Sequence, residues 1–132
     1  SSRIITQFQY TSWPDHGLPV STTAFLELVR MVDKLKKTAP VIVHCSAGIG
    51  RSGTFCTVHS TITKYRHDLS TKPDVPPTFD ILHTVIYMRQ QRPGMVQTKE
   101  QYMFCYLSID EEASQVTRKF NPLGRAALSY SH

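Results

Sequence analysis

Residues 43–53 read Val-His-Cys-Ser-Ala-Gly-Ile-Gly-Arg-Ser-Gly, and this stretch decides the fold. The β-branched run at residues 41–43 predicts a strand buried on both faces of a mixed or parallel sheet. Apolar residues at helical spacing follow the stretch: Phe55, Val58, Ile62 and Tyr65. A helix therefore begins at or just after Arg51. A strand, a glycine-rich loop and a helix N-terminus point backbone N–H groups into one concavity, which suits a dianion such as phosphate.

The same loop carries side chains for phosphoryl chemistry. Arg51 has a planar guanidinium that can bind two phosphate oxygens. Cys45 lies where the N–H groups and Arg51 stabilise a thiolate, and such placements lower a cysteine pKa from about 8.5 to roughly 3.5 to 7.5. It is the candidate nucleophile, with an inert core cysteine as the alternative, and Ser52 can donate a hydrogen bond to the departing sulfur. The candidate substrate-binding residues are Ser46, Ala47, Gly48, Ile49, Gly50 and Arg51 of this loop, together with Gln101.

The sequence argues against other phosphate and metal sites. The loop lacks the G-K-[ST] of a Walker A motif. His44 and Cys45 are adjacent and point to opposite faces of a continuing strand, so they predict no metal site, and we expect no cofactor. Cys45, Cys56 and Cys105 are an odd number of cysteines at wide spacings, which favours a reducing compartment over a disulfide framework.

The composition fits one soluble globular domain. The chain has 132 residues, of which 40% are hydrophobic and 19% are charged. The net charge of +5 favours anionic partners, and we expect no nucleic-acid partner. No apolar run reaches the roughly 20 residues of a membrane span. Residues 1–4 contain neither an initiator Met nor the apolar region of a signal peptide, so we expect a fragment.

Upstream of the loop, the sequence predicts a strand at residues 3–10 and a Pro/Asp/Gly loop at residues 13–17. A helix capped by Ser21 or Thr22 follows and ends before Pro40. The core-facing positions of this helix recur with the 3.6-residue period: Phe25, Leu28, Val29, Val32 and Leu35.

Downstream, the sequence predicts a loop at residues 70–77 and then a helix. This helix opens at Thr78 or Asp80 and is stopped by a Pro-Gly pair. Arg89 and Arg92 lie near its end, where we expect them only to favour the negative helix terminus.

A final helix begins at Thr98, which forms a T-x-x-Q capping box with Gln101. Its helical periodicity fades from Ala113 onward. We therefore expect a catalytic part at residues 1–112 and a tail or linker at residues 113–132.

The motif H-C-x5-R-S, from His44 to Ser52, resembles the signature of cysteine-dependent protein phosphatases, in particular the classical protein tyrosine phosphatases. Trp-Pro-Asp at residues 13–15 is similar to the mobile acid loop of that family, and residues 97–101 are similar to its glutamine loop. The resemblance covers residues 4–112 and matches the C-terminal half of such a catalytic domain. It implies part of an α/β domain, in which helices flank a mixed sheet and the phosphate-binding loop joins a central strand to a helix.

By position, the resemblance assigns roles to side chains of the motif. Cys45 corresponds to the nucleophile, Arg51 to the phosphate-binding arginine and Ser52 to the hydroxyl that aids departure of the thiolate. His44 resembles the histidine that supports a low cysteine pKa. No metal is implied, because Arg51 and the backbone amides supply the electrostatic stabilisation.

Outside the motif, the resemblance assigns acid–base and water-positioning roles. Asp15 corresponds to the acid that protonates the tyrosyl oxygen and later acts as a base on water. Gln97, with help from Gln101, corresponds to the residue that positions the attacking water.

The implied function is hydrolysis of phosphotyrosine in proteins through a cysteinyl-phosphate intermediate. The expected location is the cytoplasm or the cytoplasmic portion of a receptor-type protein. An expected partner is the N-terminal half of the same domain on a second chain, and activity of this chain alone is an open question. Two alternatives stay open: a phosphotyrosine-binding pseudophosphatase or incomplete fragment, and a dual-specificity or phosphoinositide phosphatase.

Overall fold

A computed structural model describes residues 1–36, 38–120 and 129–130 of the chain. The two short strands pair in parallel, with Thr78 opposite Ser129. No helix in these ranges is long and apolar enough to cross a bilayer. The elements in chain order are α1 (Thr22–Leu35), α2 (Gly50–Thr71), β1 (Thr78–Phe79), α3 (Ile81–Gln91), α4 (Lys99–Phe120) and β2 (Ser129–Tyr130).

Three helices begin at caps that the sequence predicted. At the start of α1, Ser21 Oγ accepts a hydrogen bond from the backbone N–H of Ala24 at 3.1 Å. Asp80 caps α3 in the same way, through a backbone N–H three positions later at 3.0 Å. At α4 the capping box is complete, because Thr98 Oγ1 accepts from the Gln101 N–H at 3.0 Å and Gln101 Oε1 accepts from the Thr98 N–H at 3.2 Å.

Both strands predicted upstream of α2 are wrong for this structure. Residues 3–10 and 41–43 form no strand, and the Ile5 and Ile42 side chains are 75% and 88% exposed. A strand is stable only when its backbone N–H and C=O groups pair with a neighbouring strand. The described part of the chain supplies no such neighbour for either segment, so Ile5 and Ile42 stay in solvent, whereas Phe8, Tyr10 and Val43 pack partly against the core.

Helix α4 continues past Ala113, where the sequence predicted that helical order fades, and it ends at Phe120. Ala113, Val116 and Thr117 are buried, and the Tyr65 hydroxyl hydrogen bonds with Thr117 Oγ1. Small and polar side chains make up much of this buried face, so a hydrophobic period does not reveal it. The predicted tail at 113–132 is therefore helical over 113–120, while residues 121–128 and 131–132 of it lie outside the described residues. The division into domain and tail stays a prediction.

The core lies between α1, α2 and α4 and is centred on Phe25. The Phe25 ring makes edge-on contacts with Trp13 at 5.4 Å, Phe104 at 5.2 Å and Phe55 at 6.3 Å. Leu35, the last core position predicted for α1, is exposed instead. Because Trp13 precedes the predicted acid, this core also anchors the loop that carries the acid.

Candidate active site

The phosphate-binding loop, residues 45–52, leads into the N-terminus of α2. Cys45 Sγ accepts a hydrogen bond from the backbone N–H of Gly48 at 3.2 Å and another from Ser52 Oγ at 3.0 Å. Gly48 has a φ of +76°, a conformation that glycine adopts without strain. Helix α2 begins at Gly50 with no side-chain cap, so no capping side chain competes with an anion for its first N–H groups.

The surroundings of Cys45 favour its thiolate. Burial opposes ionisation and is the largest single effect on the pKa. The hydrogen bonds from Ser52 and Gly48, together with the positive charge of Arg51, outweigh burial and lower the pKa of the Cys45 thiol below its ordinary value. The loop therefore favours the ionised form of the candidate nucleophile.

Cys56 and Cys105 do not share this environment. All three cysteines are free thiols. Burial raises the pKa of the Cys56 thiol and raises that of Cys105 to about 12. Thiolate character is therefore concentrated at Cys45.

Within the described ranges, His, Cys, Asp and Glu side chains form no group of three or more that could hold a metal ion.

Arg51 joins the phosphate-binding loop to the acid loop, residues 13–17. Its Nη1 donates to the Trp13 carbonyl at 3.0 Å, and its Nη2 lies 3.5 Å from Asp15 Oδ1. Its Nε is buried and has no hydrogen-bond partner within residues 1–36 and 38–120. A buried unsatisfied donor costs about 1 to 3 kcal/mol, and a phosphate oxygen would satisfy it.

The acid loop is held by its own hydrogen bonds. The Gly17 N–H donates to the Pro14 carbonyl at 3.0 Å, which closes a turn around Asp15. The Gly17 carbonyl accepts from Trp13 Nε1 at 3.0 Å. The Asp15 side chain is 47% exposed, so a ligand can reach its carboxyl group.

The two glutamines lie beside the start of α2. A Cβ atom at Gly50 would be 2.5 Å from Gln97 Oε1, so this side chain packs closely on the glycine. Gln101 is fully buried, and its Oε1 accepts from the Gln97 N–H at 2.9 Å while its Nε2 donates to the Gly17 carbonyl at 3.3 Å. The glutamine loop therefore contacts both the phosphate-binding loop and the acid loop.

Arg92 holds the phosphate-binding loop from behind, a contact that the sequence analysis missed. Its Nε donates to the Gly48 carbonyl at 2.8 Å and its Nη2 donates to the Ala47 carbonyl at 3.0 Å. A carbonyl turned toward Arg92 leaves the loop free to point N–H groups toward a phosphate. A Cβ at position 48 would lie 2.8 Å from Arg92 Nη2, so a larger residue there would displace this guanidinium from the loop.

Arg89 makes a similar contact with the backbone of the loop between α3 and α4. Its Nε and Nη2 donate to the carbonyls of Met95 and Val96 at 2.8 and 2.7 Å. The Val96 N–H in turn donates to the Ile49 carbonyl at 2.9 Å. From the sequence, Arg89 and Arg92 are expected only to favour the helix terminus, because neither the loop partners of Arg89 nor the distant partners of Arg92 follow a helical spacing.

The structure thus brings together Asp15, Cys45, Arg51, Ser52 and Gln97, but His44 is not joined to them by a hydrogen bond. His44 is exposed, and its predicted support of the Cys45 pKa has no direct contact in the described part of the chain. Ser46 and Ala47 are exposed at the loop surface, where a ligand can reach them.

The geometry has a counterpart in known proteins. A family model described as protein-tyrosine phosphatase matches residues 1–111. The chain is 50% identical over 131 residues to Tyrosine-protein phosphatase 2 of Dictyostelium discoideum, covering 99% of this chain and 34% of that protein. It is 42% identical to Protein-tyrosine-phosphatase PTP1 of Arabidopsis thaliana, covering 89% of this chain and 33% of that protein.

Solved structures agree with the sequence relatives. The crystal structure of the protein tyrosine phosphatase TbPTP1 of Trypanosoma brucei matches with a TM-score of 0.67 at 36% identity, covering 80% of this chain and 35% of that one. The predicted fold class is confirmed, since the solved neighbours are α/β phosphatase domains of which this chain shows a mostly helical part. The chain spans about a third of the length of the relatives it matches. Together, the loop geometry and these matches show that the chain belongs to the protein-tyrosine phosphatase family.

Proposed function

We propose that the protein hydrolyses phosphotyrosine in other proteins through a cysteinyl-phosphate intermediate. The observation that carries this proposal is the pair of hydrogen bonds that Cys45 Sγ accepts from Gly48 and Ser52, at 3.2 and 3.0 Å. A thiol held in this way, beside Arg51 and at the start of an uncapped helix, suits attack on a phosphate dianion.

In the first step, the Cys45 thiolate attacks phosphorus. The S–P bond forms while the bond between phosphorus and the tyrosyl oxygen breaks. Asp15 in its protonated form gives its proton to that oxygen, which would otherwise leave as a phenolate whose conjugate acid has a pKa of about 10. Arg51 and the loop N–H groups stabilise the charge on the phosphoryl oxygens.

In the second step, Gln97 positions a water molecule and the Asp15 carboxylate takes its proton. The water oxygen bonds to phosphorus as the S–P bond breaks, which releases phosphate. The Cys45 thiolate is regenerated, and the hydroxyl of Ser52, 3.0 Å from the sulfur, stabilises it by a hydrogen bond. Gln101 supports this step indirectly, because it binds the backbone of Gln97.

The alternatives have less support. A phosphotyrosine-binding pseudophosphatase does not need an acid, yet Asp15 lies 3.5 Å from the phosphate-binding arginine Arg51. A phosphoinositide phosphatase would favour additional lysines for a polyanionic head group, and residues 45–52 contain none.

The partners proposed for the protein are phosphotyrosine-containing proteins and the remainder of the catalytic domain. Members of this family act on phosphotyrosine proteins. The exposed side chains of Ile4, Ile5, Val41 and Ile42 suit packing against the remainder of the domain, supplied in the same chain or by a second one. We further propose a cytoplasmic location, or the cytoplasmic portion of a receptor-type protein.

The test measures phosphate release by the full protein from three substrates. Two are versions of one peptide, carrying either phosphotyrosine or phosphothreonine, and the third is a phosphoinositide. We expect the protein to hydrolyse only the phosphotyrosine peptide, and we expect Cys45→Ser to abolish this turnover. Tight phosphotyrosine binding without turnover would support the pseudophosphatase instead. Faster turnover of phosphothreonine or of the lipid would support the other alternative.

A further inference from the structure

A groove remote from Cys45 concentrates positive charge. It lies between the C-terminal halves of α1, α2 and α4 and encloses about 420 Å³. Its lining residues are Arg30, Asp33, Lys34, Arg66, Val116 and Lys119. Four cationic side chains therefore face one carboxylate across a volume typical of small-molecule sites, which span roughly 300 to 1,000 Å³.

The two arginines of this groove are fixed by a buried acid. Glu112, whose side chain is 2% exposed, accepts from Arg30 Nη2 at 2.7 Å and from Arg66 Nη2 at 3.0 Å. Arg66 Nη1 also donates to Asp33 Oδ2 at 3.0 Å. Because the guanidinium groups are already ordered, binding of an anion costs less side-chain entropy than it would at mobile arginines.

Donors and positive charge remain for a ligand. Arg30 holds Glu112 and Gln115 through Nε and Nη2, so its Nη1 takes no part in these bonds. Lys34 and Lys119 are exposed and form no ion pair with the residues that the structure describes. Glu27 and Glu111 also lie near enough to Arg30 to raise its pKa, but they do not line the groove, where Asp33 is the one carboxylate among four cationic side chains.

The groove is separate from the catalytic loop. Arg51 and Arg66 lie on the same helix, and at 1.5 Å per residue they are about 22 Å apart along it. A phosphate bound at one position therefore cannot contact the other.

We infer that this groove binds a phosphate monoester with an organic body. The phosphate would contact Arg30, Arg66 and the two lysines, as arginine clusters bind phosphorylated groups elsewhere. The body would lie against Val116 and the aliphatic stems of the arginines. The inference does not depend on catalysis at Cys45.

Phenyl phosphate is the probe, titrated calorimetrically at low salt into the full protein carrying Cys45→Ser. We expect two sites. Adding Arg51→Met should leave only the groove site, whereas adding Lys34→Glu with Lys119→Glu should weaken the groove site at least tenfold and leave the other. A matched control, Lys64→Glu with Lys72→Glu, changes the net charge equally and should keep both sites. Equal unfolding temperatures for these variants would show that folding is intact.

Two results would overturn the inference. One is that the Arg51→Met protein binds no phenyl phosphate. The other is that the lysine reversals in the groove and those of the control weaken the remaining binding equally. If inorganic phosphate bound the groove as tightly as phenyl phosphate, the groove would not recognise the organic part of the ligand. A phosphotyrosine peptide that binds more tightly than phenyl phosphate would support a phosphorylated protein segment as the source. Equal affinity of the two would support a small phosphorylated molecule.

Discussion

Arg51 Nη2 lies 3.5 Å from Asp15 Oδ1, and Nη1 of the same side chain donates to the Trp13 carbonyl at 3.0 Å. One guanidinium therefore contacts the acid loop through both Nη atoms, while its buried Nε has no hydrogen-bond partner within residues 1–36 and 38–120. The group expected to bind phosphate therefore also contacts the proposed acid. In the proposed mechanism, Arg51 would couple binding of substrate to placement of the proton donor.

Replacing the proposed acid should slow hydrolysis more for substrates with a basic leaving group than for those with an acidic one. We expect Asp15→Ala to slow hydrolysis of phosphotyrosine peptides by about 10² to 10⁴, because general acid catalysis contributes about that much. An aryl phosphate with a much more acidic phenol needs little protonation and should lose less. Steady-state rates on both substrates provide the measurement, and equal losses would make Asp15 a structural loop residue.

Removing the nucleophile should separate binding from turnover. Cys45→Ser should abolish turnover, since a serine hydroxyl does not ionise near neutral pH even beside Arg51. Phosphate binding should persist through the loop N–H groups and Arg51. Rapid-quench measurement of phosphoenzyme checks this, and a phosphoenzyme formed at a comparable rate in the variant would disprove the assignment of Cys45.

Alkylation should distinguish the thiols by pH. Because the Cys45 pKa is lowered, its thiolate fraction rises with pH and saturates at a lower pH than that of an ordinary cysteine. The raised pKa values of Cys56 and Cys105 keep those thiols protonated across the same range. Iodoacetamide labelling followed by mass spectrometry should show Cys45 modified first. The same order is expected with mild peroxide, and early modification of Cys105 would contradict it.

Arg92 should matter for the nucleophile although it does not contact it. We expect Arg92→Met to lower kcat/KM about tenfold, equivalent to about 1.4 kcal/mol, because the loop loses the two hydrogen bonds to Ala47 and Gly48. The Cys45 pKa, measured from the pH dependence of alkylation, should rise. Arg92→Lys should recover only part of the effect, since an ammonium group lacks the planar fork. An unchanged Cys45 titration in Arg92→Met would leave Arg92 with a purely structural role.

The buried acid Glu112 should stabilise the packing of α1, α2 and α4. Glu112→Ala leaves Arg30 and Arg66 without their shared carboxylate, and we expect a loss of roughly 3 kcal/mol of unfolding free energy, the lower end for a broken buried pair. The lower end applies because the arginine side chains are 39% and 31% exposed. Urea unfolding measures the change.

The control for Glu112 is an exposed ion pair on α2. Lys64 and Asp68 are 2.7 Å apart at the surface, and Lys64→Ala should cost at most about 0.5 kcal/mol. A similar loss in the two variants would mean that burial adds nothing to the Glu112 cluster.

The sequence predicted the helices better than the strands because the two kinds of element depend on different partners. Helix α1 satisfies its own backbone, and Ser21 at its start and Phe25 on its buried face are both readable from local spacing. A strand at residues 41–43 needs another strand beside it, and local spacing carries no information about whether one is present.

The end of α4 shows the same limit for a helix. Glu112 and Thr117 are polar but buried, because Arg30 and Arg66 bind the acid and Tyr65 binds the threonine. These partners are distant in sequence, so a hydrophobic period cannot reveal that this face belongs to the core.

By itself, the sequence determined the local part of the site: the H-C-x5-R-S motif places Cys45 in a short loop and Ser52 in the first turn of the following helix, where local backbone geometry brings the hydroxyl to the sulfur. Only the tertiary structure decided how Asp15 meets Arg51, how Gln101 binds the acid loop and how Arg92 holds the loop carbonyls. Those contacts join segments far apart in the chain. Their positions depend on how α1, α3 and α4 pack around α2, and packing is set by the whole core, not by any one stretch of residues.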